Sequence, residues 1–237
     1  TYERNALWTD EIAFWKDCAT KSRGDVRVYH SLARAYEKNE RSDEATKTFH
    51  KALAIAPGHV ESLLGLGQSL RDQGNIQGAV AAHQRAVERA PACGNCYNQL
   101  GVDYIKGNQT DLAVEALEKA ISLAPFSERA YSSLGVAYSR IGKVSEAVHM
   151  YERAIAIRPD FAEAYNNLGT LFLNPRESQK AIEYLQTAIT LDPRSADAHS
   201  NLGLALIHRG QFEQGIRAIK AALQLAPDHE DATFNLA

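Results

Sequence analysis

Cys93 and Cys96 form a Cys-x-x-Cys pair. At the entry to a helix, amide dipoles lower the pKa of such thiols, which is the setting of a redox pair. A redox site of this kind would normally accompany a βαβ unit, and a zinc site would need two more ligands, with only His83 near in sequence. The plainer alternative is structural, with Cys93 in a turn and Cys96 packed behind it, and a Cys93–Cys96 disulfide is the main competitor in an extracytoplasmic protein. Cys18 has no evident partner. The triplet Asn108-Gln109-Thr110 is a glycosylation sequon, a pattern that is common by chance.

Other chemistry is sparse. The chain has no GxxxxGK[ST] loop, no GxGxxG after a strand, no HExxH and no strand on which a nucleophile elbow could sit. Acids such as Asp43 and Glu88 read as solvated helix faces; general acid–base work would need paired carboxylates on a desolvated wall. The chain is therefore expected to be non-catalytic, with no cofactor and no metal site.

The elements that carry these residues follow from a period. Pro57, Pro91, Pro125, Pro159, Pro193 and Pro227 recur every 34 residues. With Val26 as position 1, position 7 is always leucine, from Leu32 to Leu236. Position 8 is Ala33, Gly67, Gly101, Gly135, Gly169, Gly203 and Ala237; position 20 is alanine or Gly215; position 27 is alanine. Position 11 is large: Tyr36, Leu70, Tyr104, Tyr138, Phe172 and Leu206. Small columns face large ones where helices approach closely.

Positions 4, 7, 8 and 11 lie on one helical face, and positions 20, 24 and 27 repeat that spacing after a polar break. Each block is two helices. Gly74, Gly142 and Gly210 at position 15 suit a left-handed helix end, and Ser42, Thr110 and Ser178 at position 17 are expected to cap the second helix. Proline at position 32 ends it. The organisation expected is a capping helix in 1–25, repeats at 26–59, 60–93, 94–127, 128–161, 162–195 and 196–229, and the start of a seventh repeat or a capping stub at 230–237.

This pattern resembles the tetratricopeptide-repeat family, matching its columns without a gap over 26–229. Block four is the clearest: Tyr131, Leu134, Gly135, Tyr138, Ala147, Tyr151, Ala154 and Pro159. Departures are His83 in place of the aromatic at position 24, His199 at position 4 and Gly215 at position 20. Asn174-Pro175-Arg176 is expected to end the first helix of block five early. The resemblance implies an all-α fold, an α-solenoid in which antiparallel helix pairs wind into a right-handed superhelix. It also implies a concave groove that holds an extended peptide or a partner's helix.

At about 100° per residue, positions 2, 6, 9 and 13, flanked by 5 and 12, lie opposite the buried stripe and form the groove wall. The candidate binding residues there are Arg27, His30, Arg34, Lys38, Asn98, Lys106, Arg129 and Arg140, then the amides Asn166, Asn167, Asn201 and Asn235. Arg71 stands on the same wall beside Glu61 and Asp72. The amino-terminal part leans cationic, which suggests an acidic partner; amides both donate and accept and suit capture of a peptide backbone. Asn167, Asn201 and Asn235 resemble the asparagine ladder of O-linked N-acetylglucosamine transferases, and are equally a consensus residue meeting solvent. The Lys and Asn pair of a chaperone-tail carboxylate clamp is replaced by His30 and Arg34.

Composition agrees with a soluble helical protein: 45% hydrophobic, 23% charged and a net charge of −3. With 26 basic and 29 acidic residues interspersed, no nucleic-acid footprint is expected. No apolar run is long enough to span a bilayer. Thr1 is no initiator, so the chain is expected to be a piece of a longer protein. Trp8, Ile12, Trp15 and Ala19, with Leu7 and Phe14 beside them, make an amphipathic stripe fit to cover block one. The segment from Arg4 to Cys18 resembles the stretch preceding the repeats in bacterial transmembrane-and-tetratricopeptide-repeat, O-mannosyltransferase-like membrane proteins, departing at Arg23. That resemblance implies an extracytoplasmic domain attached to an upstream membrane domain, and hence an accessory, substrate-presenting role. Self-assembly through the solenoid ends is the third alternative.

Overall fold

A computed structural model of the chain describes residues 10–22 and 24–236. Leu7, Trp8, Arg23 and Ala237, and the side chain of Leu236, lie outside the described set. Among the described residues there are 14 helices and no strand. They are α1 Glu11–Lys21, α2 Val26–Lys38, α3 Ser42–Ile55, α4 Val60–Asp72, α5 Ile76–Arg89, α6 Gly94–Lys106 and α7 Thr110–Leu123, then α8 Glu128–Arg140, α9 Val144–Ile157, α10 Ala162–Leu171, α11 Ser178–Leu191, α12 Ala196–His208, α13 Phe212–Leu225 and α14 Glu230–Leu236. The fold is an α-solenoid, and the chain divides into two compact units at Ala124–Pro125.

Local chemistry explains the boundaries. Each second helix stops two residues before a proline, as at Ile55 before Pro57 and Ile157 before Pro159, because the residue preceding proline is pushed out of helical geometry. The turn inside a block puts position 15 in the left-handed region: Gly74, Gly142 and Gly210 have φ of 78°, 75° and 76°. Glu40 and Asn108 hold the same corner at φ 57° without glycine's freedom. Ser42, Thr110 and Ser178 do not cap their helices as expected; each is the first helical residue, and the cap position falls on Arg41, Gln109 and Glu177, none of which makes a side-chain cap bond. Side-chain capping belongs to the first helices instead. Asp25, His59, Cys93, Ser127 and Ser195, all at position 34, accept amide hydrogen bonds there.

In the first unit α2/α3, α4/α5 and α6/α7 are helical hairpins, each packed on the next, with α1 laid against α2. Ile12, with half-buried Trp15 and Ala19, joins Leu32, Tyr36, Phe49, Leu63 and Leu66 in one core. In the second unit α8/α9, α10/α11 and α12/α13 repeat the hairpin, and α14 packs on α12 and α13. The early end foreseen for block five is present: α10 stops at Leu171, and Asn174 Oδ1 accepts from the amides of Arg176 and Glu177 at 3.1 and 3.0 Å. Position 8 is small because it meets position 24. A Cβ on Gly135 would lie 2.6 Å from Tyr151 Cε1, and Tyr151 itself is buried.

Candidate functional site

In the first unit α2, α4 and α6 turn the same face outward and enclose a cleft of about 300 Å³. His30 and Arg34 come from α2, Glu61 and Gln68 from α4, and Asn95 and Gln99 from α6, over a floor of Leu64 and Gly65. His30 is half-buried; its Nδ1 lies 3.3 Å from Ser62 Oγ, and its ring centroid 5.6 Å from that of His59. Burial, reinforced by His59 and Arg34, pushes the His30 imidazole below the ordinary histidine value and so keeps it neutral.

Beneath the cleft lies a group that sequence reasoning did not find. Arg71, read as a wall cation, is buried, and its Nη1 donates to Asp103 Oδ1 at 2.8 Å. Asp103 and His83 are both fully buried, with His83 Nδ1 2.5 Å from Asp103 Oδ2 and Nε2 3.3 Å from the Leu64 carbonyl. Arg71 also donates to Gln99 Oε1 at 2.6 Å, to the Gln99 carbonyl at 3.4 Å and to Gln68 Oε1. The three residues come from α4, α5 and α6 and occupy columns whose counterparts are mostly apolar or small.

Three further wall cations of this unit are paired with acids. Arg27 pairs with Asp25 at 3.0 Å, Arg34 with Glu37 at 2.5 Å and Lys38 with Glu11 at 3.0 Å. The guanidinium of Arg27 holds the Asp25 carboxyl below its ordinary range. Arg34 and Lys38 also line a cleft of about 500 Å³ with Glu11, Glu37 and Asp72, where acids outnumber cations. The charges of Arg27, Arg34 and Lys38 are thus balanced by neighbouring acids. Asn98, expected to face the groove, is buried at 5% exposure, and exposed Lys106 lies outside both clefts.

The second unit places its amides in register. Asn167 Nδ2 donates to Ser132 Oγ at 3.5 Å, Asn201 Nδ2 to Asn166 Oδ1 at 3.0 Å, and Asn235 Nδ2 to Ser200 Oγ at 3.3 Å. Every position-6 asparagine of this unit therefore reaches position 5 of the block before it. Arg129 and Arg140 stand exposed on α8.

Cys93 and Cys96 are joined by a disulfide with Cα atoms 5.3 Å apart. Cys96 is fully buried at position 3, as its column requires, while Cys93 is the N-cap of α6 and its Sγ accepts from the Cys96 amide at 3.1 Å. Packing and disulfide, set against each other in the sequence reading, coexist.

Residues 7–235 match the family described as the Cilia and flagella-associated protein 70 C-terminal domain. The chain belongs to this tetratricopeptide-repeat family. Among solved structures it resembles Cut9 in the APC/C hetero-tetramer Cut9–Hcn1, at 19% identity and a TM-score of 0.84 over 99% of this chain and 46% of that one. It resembles MamA at 27% identity and a TM-score of 0.57, over 70% of this chain and 96% of that one. It also resembles YrrB, described as a TPR protein with an unusual peptide-binding site, at 20% identity and a TM-score of 0.52 over 80% of this chain and 97% of that one. The chain spans less than half of the Cut9–Hcn1 chain that it matches. No curated protein matches it in sequence.

Tetratricopeptide-repeat proteins are typically non-catalytic scaffolds that meet other proteins. No described helix is long and apolar enough to cross a membrane. What the tetratricopeptide pattern did not reveal is the buried Arg71–Asp103–His83 group. The only signal for it was His83 standing where the repeat carries an aromatic residue, and its partners sit 12 residues before and 20 after it, distances that no single-helix periodicity connects.

Proposed function

We propose that this chain is a non-catalytic scaffold that binds an extended polypeptide segment along the exposed face of its first helices, with the cleft between α2, α4 and α6 as the principal seat. The observation that carries the reading is the convergence of the Asn95 and Gln99 amides with His30, Arg34 and Glu61 on one cleft of about 300 Å³. Amides match the alternating donors and acceptors of a peptide backbone whatever its side chains. The pairing of Arg27, Arg34, Lys38 and Arg71 with acids favours backbone capture over attraction of an acidic segment. YrrB, of the same fold, is described as having a peptide-binding site, which is in keeping with this use of the surface.

The test is an array of end-blocked ten-residue peptides of varied sequence, probed with wild type, an Asn95→Ala/Gln99→Ala variant and an Arg27→Glu/Arg34→Glu variant. Backbone capture predicts that the first variant loses about tenfold in affinity and that the second binds neutral peptides as wild type does. Unchanged binding by Asn95→Ala/Gln99→Ala would remove the cleft from the reading. Selective loss of acidic peptides in the charge reversal would restore an acidic partner.

A further inference from the structure

We propose that Arg71, Asp103 and His83 are positioning residues for the cleft: a buried ion cluster whose task is to fix the side-chain amides of Gln68 and Gln99, so that Gln99 offers a preset donor to an incoming polypeptide. The inference rests on the peptide-binding reading for its purpose, but not for its geometry.

Packing does not require these charges. Three 34-residue periods further on, the same three columns are Leu173, Leu185 and Ala205, which lie together in an apolar cluster of the second unit. Burying an ion pair carries a desolvation cost that apolar residues of similar volume avoid, so such clusters are weak evidence of stabilisation. The cluster is nonetheless well satisfied. Asp103 receives Arg71 on one oxygen and faces His83 on the other, His83 reaches the Leu64 carbonyl, and Arg71 Nη2 donates to both Gln68 and Gln99. A satisfied buried network fixes orientation.

What it orients is decisive. Because Arg71 takes Oε1 of both glutamines, their flip state is set and each amide nitrogen is left as the free end. Gln68 Nε2 is committed to Asp72 Oδ1 at 2.7 Å, whereas Gln99 Nε2 has no acceptor among the described residues and lines the cleft. Gln99 thus presents a preset donor, and the ligand group it takes is a carbonyl oxygen, of a peptide bond or of a side-chain amide. Presetting spares the ligand the cost of ordering a flexible glutamine.

The experiment is Arg71→Leu/His83→Leu/Asp103→Ala, which installs the residues found in the second unit. It is read first without ligand, through the ¹⁵N–¹H signals of the Gln68 and Gln99 side-chain amides. The expected result is a folded protein of unchanged or raised Tm in which both amides collapse to averaged, mobile positions, while the end-blocked peptides bind about tenfold more weakly. Folded protein with the Gln99 amide still ordered overturns the proposal. If the triple variant does not fold, Arg71→Lys decides: it keeps the charge opposite Asp103 but not the two-armed fork, so ordered amides at both glutamines would overturn the proposal and disorder of either supports it. Should wild type bind none of the peptides, the functional reading fails, yet the amide spectra still decide whether the cluster positions Gln99.

Discussion

Asn201 Nδ2 donates to Asn166 Oδ1 at 3.0 Å and to Thr170 Oγ1 at 3.2 Å, joining residues of adjacent blocks that are 35 and 31 positions apart in the chain. With Asn167–Ser132 and Asn235–Ser200 it makes a ladder in which position 6 of one block ties to position 5 of the block before. The side chains chosen in sequence as ligand amides thus also hold the repeats in register.

Asn201→Ala is expected to lower stability by about 1 kcal/mol, the usual net worth of a partly exposed hydrogen bond. Because solenoid stability is a sum of repeats and their interfaces, the loss should be local, with faster amide hydrogen exchange in α10 and α12. Exchange rates equal to wild type would mean that the ladder bears no load.

Glu40 occupies the left-handed corner that Gly74, Gly142 and Gly210 fill elsewhere. A residue with a Cβ is strained there by roughly 1–2 kcal/mol, part of which glycine returns as unfolded-state entropy. Glu40→Gly should therefore gain about 0.5–1 kcal/mol, and Gly142→Ala should lose a comparable amount; thermal melts of the pair give the sign.

Glu37 is half-buried beside Arg34, and burial, only partly countered by Arg34, pushes its carboxyl above the ordinary value of 4.5. A carboxyl raised in the folded state favours folding while protonated, and that contribution is lost as pH climbs from 4.5 through the folded value. Ionised Glu37 is then a cost at neutral pH, the more so because its Oε1 is buried without a partner. Glu37→Gln should melt higher than wild type at pH 7, with the gap closing toward pH 4.5. A gap that does not change with pH would assign the effect to something other than ionisation.

The Cys93–Cys96 disulfide closes a loop with a sequence separation of 3, for which chain entropy supplies about 2 kcal/mol at most. Cys93→Ser/Cys96→Ala retains an N-cap oxygen and places alanine where Ala130, Ala164 and Ala198 already fit. It should melt close to reduced wild type and ignore dithiothreitol, whereas wild type should lose a few degrees on reduction. Indifference of wild type to reductant would show that the bond adds no stability.

Much of the fold was legible because it is local. Proline stops, left-handed corners and the small columns at positions 8, 20 and 27 each act within one helix or one hairpin, so a 34-residue period displays them. The early end of α10 was readable at Asn174-Pro175 for the same reason. The misplaced cap at Ser42, Thr110 and Ser178 was an error of one residue, since serine and threonine serve at the cap and in the first turn alike. The position-34 caps were missed because the column mixes Asp25, His59, Cys93 and Ser127, which share an acceptor but not a residue type.

The site was less legible. Helical geometry put Arg34 and Arg71 on the same wall, yet one is exposed and the other buried. Which it is depends on Asp103, 32 residues away on another helix.

The sequence alone determined the two-helix block, its turns, its packing columns and the absence of known catalytic motifs, because each is a short-range consequence of backbone sterics and apolar periodicity. Only the tertiary structure decided which polar groups meet across helices: Arg71 with Asp103 and His83, Lys38 with Glu11, Asn201 with Asn166. Coulombic and hydrogen-bond partners are chosen by distance in space, and a repeat that stacks neighbours brings together residues that its periodicity holds roughly one block apart. Arg71 reads as a wall cation on its own helix, and its burial belongs to the stack.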